Sequence, residues 1–275
     1  MVKRSKKESK TKKAFKIIGK VVWTIIKIPF YIIKGIAYLT NKTKQKSFQI
    51  QVNKKRESIN AIYQEFKLLQ TSSGDYKEFE NYLLSSKSKI GIILGARGTG
   101  KTAIGMKILE NIYSKGKRKL YAIGFKSEDM PSWIEVIDNI EKINNDSTVL
   151  IDEGGVLFSS RNSMTKPNKL LSQLILIARH KNLNILFISQ NSSNLDVNIL
   201  RQADYLILKP TSLLQGDFER KKIKDVYTKV QSDFKKHENV KGVTYLYSEI
   251  FRGFIANPLP SFWSTNISKS FREIF

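Results

Sequence analysis

GARGTGKT, residues 95–102, decides the fold. It reads G-x-x-x-x-G-K-T, and its flanks give that pattern a mechanism. Lys89 to Leu94 before it form an apolar run that reads as a buried strand. Thr102 to Ser114 after it carry Ile104, Ile108 and Ile112 at helical spacing. In a strand–loop–helix setting, Gly95, Gly98 and Gly100 free the backbone for conformations that a side chain would block. The loop amides, Thr99 among them, then face an anion together with the helix N-terminus. Lys101 is expected to reach the β- and γ-phosphates of ATP, and Thr102 to ligate Mg²⁺.

Downstream, STVLIDEGG (147–155) reads as a strand that ends on Asp152 and Glu153. In phosphate-loop proteins such an acid holds Mg²⁺ through water, so Asp152 is the second metal-site residue. The adjacent carboxylate, Glu153, is placed to polarise an attacking water, which points to hydrolysis rather than transfer to an acceptor. Residues 167–183 read as a helix that feeds a strand, 184–189, tipped by Gln190, a candidate γ-phosphate sensor. Further strands are expected at 120–125 and 204–208. Strands separated by helical stretches imply an α/β fold with a mostly parallel sheet and helices on both faces. The site then falls at the strand C-termini. Arg161, Arg179, Arg201 and Arg220 are candidates for a finger acting across a subunit boundary, with Arg179 and Arg201 foremost because they flank the Gln190 strand.

Composition narrows the class. The chain has 275 residues, no cysteine and two histidines, His180 and His237, which excludes disulfides and disfavours thiolate or imidazole metal centres. The net charge is +24. Residues 1–56 hold 17 Lys and Arg against one acid, Glu8. A basic arm of that density calls for phosphate partners, either nucleic acid or an anionic membrane surface.

Residues 1–13 are too polar to fold alone. Residues 14–40 turn apolar, with Lys13, Lys20, Lys27 and Lys34 seven apart and Lys16 between. On a helix these five share an arc of about 60°. That narrow cationic stripe on a broad apolar helix describes a segment lying on a membrane surface, kinked at Pro29. Packing on a partner helix and a true span are the alternatives. Residues 41–56 read as a basic linker, and 57–70 and 75–86 as two short helices. The ATPase domain is expected over 88–240, with C-terminal strands and a tail over 241–275. Within these, 217–237 reads as a charged surface helix, Val243 to Tyr247 and Gly253 to Ala256 as a hairpin or edge strands, and Trp263 and Phe271 as contacts for a neighbouring copy.

The runs DEGGVLFSSR (152–161), ARHKNLNILFISQ (178–190) and NILRQADYLILKP (198–210) resemble the HerA/FtsK superfamily of phosphate-loop ATPases, of the additional-strand (ASCE) type. They are most similar to the packaging ATPases of membrane-containing archaeal viruses, and also to the zonula-occludens-toxin-like assembly ATPases of filamentous phages. The likeness covers about residues 88–264. It implies a homo-hexameric ring that hydrolyses ATP to move double-stranded DNA without sequence preference. It assigns nucleotide binding to Lys101 and Thr102, metal to Asp152, water activation to Glu153 and γ-phosphate sensing to Gln190. The phage assembly enzymes carry their membrane span after the ATPase domain, whereas the apolar segment here precedes it. Four readings stay open: a DNA-packaging motor at the cytoplasmic face of a membrane or in a virion, an assembly or export ATPase acting on protein, a conjugation-type DNA pump, and a binding module without turnover.

Overall fold

A computed structural model describes residues 23 and 47 and residues 50–85, 87–116, 118–153 and 167–269. The polar arm, nearly all of the 14–40 helix, Arg161 and Phe271 lie outside the described residues. Trp23 is helical and exposed, and residues 50–56, expected as part of a linker, are helical, as is residue 57. Among the described residues, no helix is long and apolar enough to cross a membrane. Residues 1–54 and 55–275 separate into two compact units.

In the second unit the chain runs β1 (Lys67–Gly74), α1 (Tyr76–Leu84), β2 (Lys89–Leu94), α2 (Lys101–Gly116), β3 (Leu120–Ile123), β4 (Ile134–Val136), β5 (Thr148–Asp152), α3 (Pro167–Ala178), β6 (Asn184–Ile188), α4 (Val197–Arg201), β7 (Tyr205–Leu208), α5 (Leu213–Phe218), α6 (Lys221–Lys236), β8 (Val243–Ser248), β9 (Phe251–Ala256) and α7 (Thr265–Lys269). All nine strands join one sheet, ordered β1-β9-β8-β7-β2-β6-β5-β3-β4. From β7 to β4 every neighbouring pair is parallel, whereas β8, β9 and β1 extend the sheet antiparallel. β6 lies between the phosphate-loop strand β2 and the Asp152 strand β5, which is the additional strand that the sequence class expected. The outer strands of 67–74 and 243–256 therefore complete this one sheet instead of forming separate modules.

Parallel strands covered on both faces need apolar residues at every position, and β2, β3, β6 and β7 are buried throughout. One face packs against α3, α4 and α6 through Leu174, Ile199 and Tyr227. The other packs against α1 and α2 through Phe79, Ile104 and Ile108. In β2, Gly91 is set by close approach, because a Cβ there would meet the Tyr205 ring at 2.3 Å. Tyr205 itself is 1% exposed, and its hydroxyl has no hydrogen-bond partner. A buried hydroxyl left unpaired gains nothing. Tyr205→Phe should therefore keep stability or raise it by about 1 kcal/mol, read as an unchanged or higher urea midpoint.

One expectation is corrected. Residues 57–70 do not form a helix. Residues 59–66 run without regular structure, and Lys67–Gly74 is a strand paired with β9. The apolar spacing of Ile62, Phe66 and Leu69 suits a helix, yet the main chain gains a ladder by closing the open edge of β9, with register shifts between Leu68 and Gln70 and between Thr71 and Ser73. Trp263 packs, half-buried, on the core of its own chain. The second expected helix does form, because Asp75 caps α1 by accepting from the amides of Lys77 (2.6 Å) and Glu78 (3.0 Å). The charged stretch 217–237 is two helices, α5 and α6, broken at Glu219 and Arg220.

The irregular segment is fastened to α2. Glu110, 0% exposed, accepts from the Ile62 amide (3.1 Å), Lys107 Nζ (2.8 Å), the Ser261 amide (3.1 Å) and the Ser261 hydroxyl. The next residue, Asn111, exchanges two hydrogen bonds with the Gln64 backbone, at 3.0 and 2.8 Å.

Candidate nucleotide site

The loop after β2 is built by its glycines. Gly95, Gly98 and Gly100 have φ of 145°, 80° and 90°. These are left-handed values that other residues rarely adopt. Gly95 is doubly constrained, because a Cβ on it would meet Lys209 Cβ at 2.5 Å. The loop end is pinned to the next strand: the Ala96 amide donates to the Pro210 carbonyl at 2.9 Å, and the Lys209 amide to the Leu94 carbonyl at 2.8 Å. Thr99 tightens the turn from inside, with its hydroxyl on the Ala96 carbonyl at 2.7 Å. α2 begins at Lys101 with 16 residues, so its unpaired first-turn amides and dipole face the loop.

Lys101 Nζ lies over this loop and donates to the Gly95 (2.8 Å) and Ala96 (2.9 Å) carbonyls. Burial lowers its pKa, and the charges of Asp152 and Glu153 oppose that shift, so both carboxylates act on this ammonium. Asp152 ends β5 half-buried, next to Ile188 of β6. Glu153 is 7% exposed. Burial raises its pKa, against hydrogen bonds from the Ser189 hydroxyl, the Asn194 side chain and the Gln190 amide, and against the Lys101 charge. A carboxylate held in three donors and pushed above its ordinary range is suited to take a proton from water.

A cradle of left-handed glycines, a helix N-terminus and one ammonium fits a polyphosphate. Thr102, half-buried in the first turn, and Asp152 offer one hydroxyl and one carboxylate. Among the described residues, no cluster of three His, Cys, Asp or Glu could hold a metal unaided. That donor set fits Mg²⁺, a hard cation that keeps several waters and shares the phosphate oxygens of its substrate. Beside the loop, a cavity of about 710 Å³ opens between Pro210, Thr211, α6 and Val243. It takes in Tyr227, Thr228 and Phe234. Through the Ala96–Pro210 hydrogen bond it adjoins the phosphate cradle.

The structure brings Gly95, Gly98, Thr99, Gly100, Lys101, Thr102, Asp152 and Glu153 to one edge of the sheet, with Gln190 beyond β6 at the same edge. Gln190 engages Glu153 through its backbone amide, and its side chain is exposed. Its carbonyl accepts from Gln215. Arg179 and Arg201 are exposed and lie just before β6 and β7, at the strand N-termini, so this chain does not bring them to its own phosphate loop. Arg220 serves the fold by donating to the Ser192 (3.0 Å) and Leu195 (2.5 Å) carbonyls. Sequence reasoning missed Ser189 and Asn194, which hold the Glu153 carboxylate. It also missed Glu219, which is 6% exposed and anchors that loop through the Ser192 amide at 2.8 Å. The signal for the first two was the polar run that follows the β6 strand, FISQNSSN.

The family described as Zonular occludens toxin (Zot) matches residues 101–250. No curated protein matches the sequence. Among solved structures, the genome packaging NTPase B204 from Sulfolobus turreted icosahedral virus 2 in complex with ATP-gammaS is similar at 15% identity, covering 62% of this chain and 98% of that one, with a TM-score of 0.40. The pCW3 conjugation coupling protein TcpA is similar at 14% identity, covering 68% and 64%, with a TM-score of 0.42. The N-terminal domain of zonular occludens toxin from Neisseria meningitidis is similar at 15% identity, covering 66% and 98%, with a TM-score of 0.36.

Proposed function

Because this chain belongs to the zonular occludens toxin family, and because its phosphate loop faces a paired Asp152 and Glu153, we propose that it is an ATP-hydrolysing motor that moves double-stranded DNA. The observation that carries hydrolysis is Glu153, a buried carboxylate gripped by Ser189, Asn194 and Gln190 within the field of Lys101. Lys101 and the loop amides hold the β- and γ-phosphates. Thr102 and Asp152 would hold Mg²⁺, which supplies positive charge at the phosphate oxygens when bound. Glu153 takes the proton of the attacking water, and Gln190, on the loop that carries those donors, reports the γ-phosphate. The cavity against Tyr227 and Phe234 receives the base and ribose, so nucleoside triphosphates should bind more tightly than inorganic tripolyphosphate.

The net charge of +24 supports a phosphate polymer as cargo, as do Lys221, Lys222, Lys224, Lys229, Lys235 and Lys236 on α6. The motor works as a homo-hexamer, with residues 14–40 on the anionic surface of a membrane at its cytoplasmic side, and packages DNA there. In such a ring Arg179 or Arg201 can reach the site of an adjacent copy. A second reading, an assembly or export ATPase acting on protein, is favoured by the family match. One measurement separates them: the ATP hydrolysis rate of the full chain alone, with double-stranded DNA and with anionic vesicles. Stimulation by DNA of several-fold or more is expected, and a further rise on vesicles. A rate indifferent to DNA overturns the DNA motor and favours the export reading.

A further inference from the structure

Lys209 follows β7 directly beneath the phosphate loop. It is 0% exposed. Its stem meets Gly95, and a Cβ on Gly100 would stand 3.9 Å from its Nζ, so the ammonium lies behind the last glycine of the loop. Nζ donates to the Gly242 carbonyl (3.1 Å), the Val243 carbonyl (3.2 Å) and Asn257 Oδ1 (2.7 Å). Two of these acceptors have other donors. The Gly242 carbonyl also accepts from the Asn257 amide (3.1 Å), and the Thr244 hydroxyl has its one proton to share between that carbonyl (3.0 Å) and Asn257 Oδ1 (3.1 Å). Burying an ammonium among neutral partners is costly, and a methionine would fill the same channel without that cost. An anion in the loop is the group that would offset it.

Resting on the nucleotide reading above, we infer that Lys209 is a positioning residue of the phosphate site: its ammonium, acting through the backbone of the loop, strengthens triphosphate binding, and the bound triphosphate holds it protonated. Burial lowers its pKa to about 7, so near neutral pH it is partly uncharged. The groups that face it are few. From α6, the Tyr227 hydroxyl donates to the Lys209 carbonyl at 3.1 Å and stays neutral, its own pKa raised well above 10 by burial. From β8 and β9 come Thr244 and Asn257, which do not titrate.

An anion raises the pKa of a neighbouring ammonium, so binding takes up a proton, and affinity falls as pH rises from about 7 through the raised value. The test measures binding of a non-hydrolysable ATP analogue to the full chain, Lys209→Met and Lys209→Arg between pH 6.5 and 9. The wild type should lose about tenfold more affinity over that range than Lys209→Met, whose profile reports the ligand's own titration. Lys209→Arg should keep its affinity at pH 9. Calorimetry of the wild type in buffers of different ionisation enthalpy should show proton uptake. A purely structural lysine would lower the melting temperature of Lys209→Met and leave its pH profile parallel to the wild type. Parallel profiles, or no proton uptake, overturn the inference while the nucleotide reading stands. If Lys209→Met does not fold, the wild-type proton count and the arginine variant decide. Failure of the wild type to bind the analogue at any pH overturns both.

Discussion

Lys101→Ala should lower ATP hydrolysis by about a thousandfold and still fold. The ammonium is the one side-chain cation that the loop holds directly over its own carbonyls, at 2.8 and 2.9 Å from Gly95 and Ala96. A phosphate oxygen offers it a charged acceptor in place of two neutral ones, and charge-assisted hydrogen bonds are roughly twice as strong. Removing the amine therefore costs the γ-phosphate its preorganised donor. The fold loses little, because the Ala96 carbonyl keeps Thr99 through both its amide and its hydroxyl. Burial has also lowered the pKa of this lysine, so its charge is not a gain to the fold without an anion. Steady-state hydrolysis beside a thermal melt checks the point. A variant that keeps more than a tenth of wild-type turnover with an unchanged melt would show that the phosphates sit elsewhere.

Glu153→Gln should cut turnover by about 10²–10⁴-fold while leaving nucleotide binding intact. The amide has the shape of the carboxylate and cannot take a proton from water. One of its two ends now presents a donor where Ser189, Asn194 or Gln190 already donates, so stability should fall by about 1–3 kcal/mol. The pH dependence has a definite sign. The Glu153 pKa is raised above its usual 4.5, chiefly by burial, and the base works only when ionised. Turnover should therefore fall as pH drops through a value above the ordinary carboxylate range, and no such limb should remain in Glu153→Gln. Turnover that is unchanged in the variant would assign water activation to another group, and the chain would then read as a nucleotide-dependent switch.

The core of the site was legible because its elements obey local rules. A continuous apolar run before a glycine loop can be only a strand with both faces covered, and β2 spans Lys89–Leu94 as the run itself does. β5 and β6 announce themselves in the same way, each ending on polar residues. Residues 57–70 were misread because their apolar spacing fits a helix as well as it fits an edge, and the partner that decides, β9, lies far along the chain. Distance in sequence hid Lys209 for the same reason. It reads as the polar end of YLILK, and only the parallel pairing of β7 with β2 sets it under Gly95 and Gly100. The arginines flank the Gln190 strand in sequence, but a parallel strand has two ends, and both residues stand at the end away from the phosphates.

The fastening at Glu110 fixes how this unit must be cut. One carboxylate binds amides 48 residues upstream and 151 residues downstream, in company with a lysine that is 1% exposed. Trim either extremity, before residue 62 or at residue 261, and a charged pair is stranded in the interior with donors missing. The minimal autonomous fragment therefore extends from the fifties into the sixties of the third hundred, well outside the stretch that carries the chemistry. The helix that presents Lys101 is fully packed only when both extremities are in place.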